Sequence, residues 1–576
     1  MKNRIGILIV VILLVSFFLN AFGISWGLPY RWNVDEDVNL SLRLIGEKTI
    51  FTKDTMHPPF YRYVLAVVMV PYLLFMKLIG FDFVSLNNSA SVSWLKVVRD
   101  FPDFANGIFL YARLFSAFLG IFTVFLVYLI GKNIDSKRLG LFSALTLALT
   151  QGFVAVNHFA KTTALVNFLS VLAVYLCIKA LKNKSKSFRS IGFAAFVVGL
   201  TIGTKYNAAI LCLPIFLTYA FLQKNQIQDK KGCWISSAIF KKESLFIFLF
   251  LFMGLLFSWP TLFIDNTFLS SVFFYHDYFL SYKNAPIFLV RLLNNLIQIV
   301  YIFGIPFFVF LLIGIYSYFR DIILSKKNEK NLFILFITVF VYFMVVAGYR
   351  LEFAYTKFLI LIVPLLSIFV GKGFLSFLRY QKFNLVLRKI IISTVFIYSF
   401  FFCLNLDWLF KKGDIRYLST SWLIENTEKD TSIEHIQQAA WLYSPEILRT
   451  NNVIYYGNNS EIDLFRVYQI SVNKQEHYKK LLKNGSPADF FMIFTEYNDY
   501  MNKFTIENSK SNKELIKCKL LRGEFDNFVL KKEIKARNFK IINKRLLGLS
   551  YPKNLFWYPF YDGYYPSNIL IYEKNK

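Results

Sequence analysis

Long apolar runs separated by short basic bursts set the pattern of this chain. The first is IGILIVVILLVSFFLNAFGI, after Lys2 and Arg4. Others follow at Ile108–Ile130, Leu139–Val156, Thr162–Ala180, Ile191–Thr204, Ala208–Leu222, Ser244–Pro260, Leu293–Tyr318, Leu332–Gly348, Phe358–Leu378 and Ile390–Leu406. Each approaches the length that a helix needs to cross a bilayer, so the pattern predicts about eleven spans. Basic clusters follow every second run, around Lys132–Arg138, Lys182–Arg189, Lys224–Lys242, Arg320–Lys330 and Arg379–Lys389. By the positive-inside rule these five loops are cytoplasmic. A further apolar stretch, Tyr61–Gly80, would reverse that register if it crossed. With Arg62 and Lys77 at its ends and Pro71 within, it is expected to lie in the interface or re-enter.

The outer face then receives a first loop over residues 25–107, short turns at Asn157–Lys161 and Lys205–Asn207, loops at Thr261–Arg291 and Arg350–Lys357, and the whole C-terminal portion. From Asp407 the pattern turns polar. Trp408, Tyr417, Trp422 and Leu423 alternate with charge as in an amphipathic helix, and NVIYYG, DFFMIFTEY and NILIYEK read as short strands. The expectation is a transmembrane domain over 1–406 and an extracytoplasmic soluble α/β domain over 407–576, of about 170 residues.

Composition agrees with the pattern: of 576 residues, 56% are hydrophobic and 19% aromatic, more than a soluble core needs. The net charge of +29 falls in bursts between spans and forms no single stripe, which excludes nucleic acid as partner and leaves membrane lipids. The first run has the charged start of a signal peptide but is long enough to span, and is read as a retained helix. Five cysteines are scattered without ligand spacing and imply neither zinc nor a disulfide framework.

Candidate chemistry collects on the outer segments. RWNVDEDVNL puts Asp35, Glu36 and Asp37 just beyond the first span. An outward carboxylate there can take a proton or hold a cation, although Asn33 or Asp35 could simply cap the helix that follows. His57 in MHPPFYRY stands on a turn fixed by two prolines and can donate to a phosphate oxygen. Arg113 lies one turn inside a span, either snorkelling or paired with a buried anion. Lys161, Lys205 and Lys357, with His158 and His276, complete a set of cations suited to a phosphate-bearing substrate at the membrane surface.

The order of these features, the Asp-Glu pair, HPPF, ARLFSAFLGIFTVFLVYLIGK, HFAKTTALVNF, GLTIGTKYNAAILCLPIF and FAYTKFLILIVPLL, resembles the family 39 glycosyltransferases. These use polyprenyl-phosphate-linked sugars and include protein O-mannosyltransferases and the aminoarabinose transferase of lipid A. The resemblance runs through about the first 425 residues, to DIRYLSTSWLIEN. It implies a mainly α polytopic helical bundle of the C-type glycosyltransferase fold, with its active site on the outer face. It also implies that Asp35 is the catalytic aspartate with Glu36 its partner, and that His57, Lys205, Lys357 and Arg113 bind the donor phosphate. His158, Lys161 and His276 would contact substrate. The chain departs from the family at HFAKTT, where many relatives carry an aspartate and this sequence has Thr163 or its neighbour. No cofactor is certain, and a divalent metal at Asp35 is only admitted.

The expected activity is inverting transfer from a polyprenyl-phosphate sugar to a protein, lipid or glycan acceptor, with Asp35 as general base. The setting is the extracytoplasmic face of a membrane, weakly a bacterial plasma membrane. A transporter or flippase for lipid-linked glycans, or a non-enzymatic envelope assembly protein, is the alternative. A transporter is expected to show internal repeats and polar groups at mid-bilayer depth, and the sequence shows neither.

Overall fold

Hydrocarbon offers no partner to a backbone N–H or C=O, so the apolar runs close their hydrogen bonds within helices. The structure, a computed structural model, describes residues 2–28, 36–50, 57–85, 97, 100–182, 187–224, 242–263, 288–325, 330–348, 356–412, 415–426, 433–435, 453–454, 490–495, 528–535 and 568–574. Asp35 and His276 lie outside these residues, as does the side chain of Lys357.

The helices are α1 (Lys2–Ala21), α2 (Val38–Gly46), α3 (Phe60–Leu78), α4 (Pro102–Ile134), α5 (Lys137–Ala148), α6 (Gln151–Asn157), α7 (Thr162–Lys182), α8 (Ser187–Ile202), α9 (Cys212–Lys224) and α10 (Lys242–Ser258). They continue with α11 (Phe288–Phe303), α12 (Ile305–Ser325), α13 (Lys330–Gly348), α14 (Val363–Arg379), α15 (Leu385–Lys412) and α16 (Ile415–Asn426). Among the described residues eight helices are long and apolar enough to cross a membrane, or nine if α5 and α6, bent by 61° at their junction, form one span. Helices α8 and α11 and the apolar part of α1 are shorter. The polytopic helical bundle expected from the sequence is the observed architecture.

One expectation changes. Leu293–Tyr318 is not one span: Gly304 at φ +76, a backbone region open to glycine, and Pro306 just beyond divide it into α11 and α12. Helix α11 buries only Asn295, Ile299, Ile302 and Phe303, one stripe of its surface. Tyr61–Gly80 forms the helix α3 despite Pro71, and by length and composition it is one of the eight.

The chain divides into two compact units. One comprises residues 1–24, 35–71 and 111–407. Its helices approach closely where glycines face backbone. A Cβ on Gly314 would stand 1.8 Å from Phe369 O, and one on Gly373 2.0 Å from Phe310 O, so α12 and α14 cross with almost no side-chain layer between them. Gly199 and Gly254 do the same for α8 and α10.

The other unit comprises residues 25–34, 72–110 and 408–576. Within it Phe81 stacks on Phe104 with ring centroids 4.9 Å apart. The strands β1 (Ile433–His435), β2 (Val453–Ile454), β3 (Phe490–Thr495), β4 (Phe528–Lys535) and β5 (Asn568–Lys574) form one mixed sheet of order β2-β1-β3-β5-β4. β1 runs parallel to β2 and β3, while β5 is antiparallel to β3 and β4. NVIYYG, DFFMIFTEY and NILIYEK each supply a strand, and β1 and FVLKKEIK add two that the sequence reading missed.

Candidate active site

Helix α2 starts at Val38, and the residue before it, Asp37, makes no side-chain capping bond. Asn33 and Asp35, which could have capped it, lie outside the described residues. Asp37 instead accepts from Arg62 Nε at 3.0 Å, and its backbone N–H donates to Ala160 O at 3.1 Å. These bonds tie the first loop to α3 and to the turn before α7.

Glu36 is the most constrained acid of the group. Its Oε1 accepts from Arg113 Nε at 2.7 Å and from the Ala160 N–H at 3.0 Å, and its Oε2 accepts from Arg113 Nη2 at 2.7 Å. The remaining guanidinium nitrogen donates to Ile24 O at 2.7 Å. Both side chains are 0% exposed. This forked, charge-assisted pair joins the segment after α1, the first loop, α4 and the turn before α7. Phe159 lies 5.6 Å beneath the guanidinium. Each of the three Arg113 nitrogens therefore donates to the protein, and the acid it pairs with is the neighbour of Asp35.

A second cluster forms on the turn between α8 and α9. Asn207 donates to Tyr342 Oη at 2.8 Å, which in turn donates to Phe358 O at 2.6 Å. Lys205 Nζ sits 5.7 Å from the centre of the Phe358 ring, so the GTKY segment and the residue after Lys357 meet. Phe60 links the two clusters, since its N–H donates to Gly203 O at 3.0 Å. The chain from Glu36 to Arg62 thus bridges both, with His57 exposed between its anchored ends and Lys161 and Lys205 half-buried.

His158 is placed differently from a surface ligand. It is wholly buried, with Nδ1 2.9 Å from Val154 O and Nε2 2.9 Å from Phe22 O. Burial is the largest influence on the ring and holds its pKa below the ordinary histidine value, opposed by the two carbonyls. Asp407 Oδ1 lies 3.5 Å from Nε2. Neither Asp407 oxygen has a hydrogen-bond partner among the described residues. The sequence reading missed Asp407 because it stands where an apolar run turns polar, which looks like a domain start. Helix α15 in fact runs past it to Lys412.

No group of three His, Cys, Asp or Glu side chains is placed to share a metal ion among the described residues. Thr163, in the HFAKTT turn, is buried and offers a hydroxyl without charge.

Residues 105–257 match the family of dolichyl-phosphate-mannose-protein mannosyltransferases. A putative mannosyltransferase of Bacillus subtilis, YkcB, is 31% identical over 123 residues, 21% of this chain and only 17% of that relative's length. Among solved structures, the apo oligosaccharyltransferase of Archaeoglobus fulgidus is 12% identical with a TM-score of 0.48, over 86% of this chain and 70% of that one. ArnT of Cupriavidus metallidurans, bound to undecaprenyl phosphate, is 11% identical with a TM-score of 0.47, over 87% and 94%. The family resemblance read from the sequence thus recurs in an independent match, over a segment that contains Arg113, His158, Lys161 and Lys205.

Proposed function

We propose that this protein is a membrane glycosyltransferase that moves a sugar from a polyprenyl-phosphate-linked donor to an acceptor hydroxyl on the extracytoplasmic face. The observation that carries this reading is the family match over residues 105–257, because Glu36 is bonded to Arg113 and Ala160 within it. The bundle and the basic loops supply the setting.

A lipid phosphate is a competent leaving group. What remains for the protein is to deprotonate the acceptor and to hold the departing phosphate. Asp35 is the general base in this reading, a contribution of about 10²–10⁴-fold. Direct attack at the anomeric carbon inverts its configuration without a covalent sugar intermediate. Glu36, buried and held by three hydrogen bonds from Arg113 and Ala160, acts as a positioning residue, fixing the backbone beside Asp35. Arg113 shares that role and is not assigned to the phosphate. His57, Lys205 and Lys357 are left for the phosphate, and Lys161 and His276 for substrate contacts. His158 supports the turn from within. The acceptor hydroxyl belongs to a protein, a lipid or a growing glycan.

The test uses membranes containing Asp35→Asn, together with mass spectrometry of lipid-linked sugars and surface glycans in a strain lacking the protein. The expected result is loss of transfer with the variant still in the membrane at its normal level. Full transfer by Asp35→Asn would remove the base assignment, and an unchanged glycan profile in the deletion strain would remove the activity itself.

A further inference from the structure

At the other end of the bundle from Glu36 and Arg113 lies a cleft of about 820 Å³ that the proposed transfer does not use. Helix α4 spans the separation: from Arg113 to Ile134 it rises about 30 Å. The cleft lies among the ends of α4, α7, α12 and α14 and the starts of α5 and α13. It sits one turn beyond the close crossing of Gly314 and Gly373, where Ser317 Oγ and Ser376 Oγ meet at 2.6 Å.

Four cations line it, Arg320, Lys330, Lys372 and Arg379, against two carboxylates, Asp135 and Asp321. Asp321 is shared by two of the cations, at 3.0 Å from Lys372 Nζ and 3.1 Å from Arg320 Nη2. Asp135 reaches Arg379 only at 4.0 Å, with that arginine 73% exposed. The Lys372 side chain is 12% exposed, so one of these charges is set well into the wall. Among the described residues that line it, the formal charges leave a positive excess around an open volume. Arginine forks match phosphate oxygens, and basic pockets between transmembrane helices are suited to anionic head groups.

We propose that this cleft binds a phosphate-bearing anion, supplied either by the head group of an anionic membrane lipid or by a soluble phosphate ligand on the same face. The site is separate from the proposed transfer and does not depend on it.

The full-length protein would be purified into phosphatidylcholine nanodiscs doped with phosphatidylglycerol, and retained lipid counted by native mass spectrometry. Inorganic pyrophosphate would be titrated in parallel into phosphatidylcholine discs. The expected result is binding of at least one probe by the wild type, a loss of about tenfold or more in Arg320→Gln/Lys330→Gln, and no loss in Lys389→Gln, whose exposed side chain lies outside the cleft. Retention of phosphatidylglycerol alone would identify a lipid site, and saturable pyrophosphate binding a soluble ligand. Should the double variant not purify as one monodisperse species, Arg379→Gln supplies the same comparison. Equal binding in wild type and cleft variant, or binding of neither probe, overturns the proposal.

Discussion

Removing one partner of the Glu36–Arg113 pair should be among the costliest single changes in the bundle. In Arg113→Met the carboxylate loses two bonds of 2.7 Å and the guanidinium charge they come from, and stays buried. An ion stranded in this way costs about 3–5 kcal/mol. In Glu36→Gln one oxygen can still accept from Ala160 N and Arg113 Nε, but the new amide N–H₂ faces Arg113 Nη2, donor against donor. The guanidinium then loses the Glu36 counter-charge while staying buried, again about 3–5 kcal/mol. Replacing both, as Glu36→Gln/Arg113→Met, removes the stranded charge, so the two changes should not add. A coupling of about 2 kcal/mol or more is expected. Equilibrium unfolding in mixed dodecylmaltoside and dodecyl sulfate micelles, run as a full cycle, measures it. The double variant should recover stability but not transfer, since the backbone beside Asp35 would lose its anchor. Single variants costing under about 1 kcal/mol, or strict additivity, would refute a buried, mutually dependent pair.

Other expectations follow from the same packing. His158 has its pKa held down by burial, so the unfolded chain binds the extra proton first. Its contribution to stability is complete above the ordinary histidine pKa of about 6.5 and declines as pH falls below it. Thermal unfolding between pH 5 and 8 should show that slope, and His158→Gln should flatten it; Asp407 at 3.5 Å and Arg113 are the charged groups that bear on the ring. Gly373→Ala drives a methyl to 2.0 Å from Phe310 O, a backbone atom that cannot swing aside, and should cost about 1–3 kcal/mol in the same unfolding assay. For topology, single cysteines near Asn183 and Asn328 should label only from the cytoplasm, and those near Asn284 and Asn459 only from outside. Outside labelling at Asn183 would mean that α3 crosses the membrane.

The spans were legible because hydrocarbon imposes a long, uninterrupted apolar run, and that signal needs no partner to be read. The break at Gly304 was written in the sequence as Gly-Ile-Pro, but length and hydropathy outweighed it. The Glu36–Arg113 pair illustrates the limit. Both residues stood out, one as an outer-loop acid and the other as an intramembrane cation, yet they lie 77 positions apart and nothing local assigns either to the other. Asp407 was hidden for the opposite reason: a single carboxylate at the end of an apolar run looks like the beginning of something polar. The strands of the C-terminal portion were readable where aromatic and β-branched residues cluster. FVLKKEIK, with its charges, was not.

The distance between Glu36 and Arg113 along the chain also has a meaning during synthesis. Glu36 leaves the ribosome 77 residues ahead of Arg113, so the acid is available before the helix that carries the arginine enters the bilayer. An arginine in an inserting helix costs up to about 2.5–3.5 kcal/mol at the helix centre and less one turn inside its end, where Arg113 stands, and a waiting carboxylate offsets that cost as the helix arrives. The first loop thereby serves its own chain as an insertion aid, and a circularly permuted version that makes α1 to α3 last would deliver α4 to the membrane with its guanidinium bare.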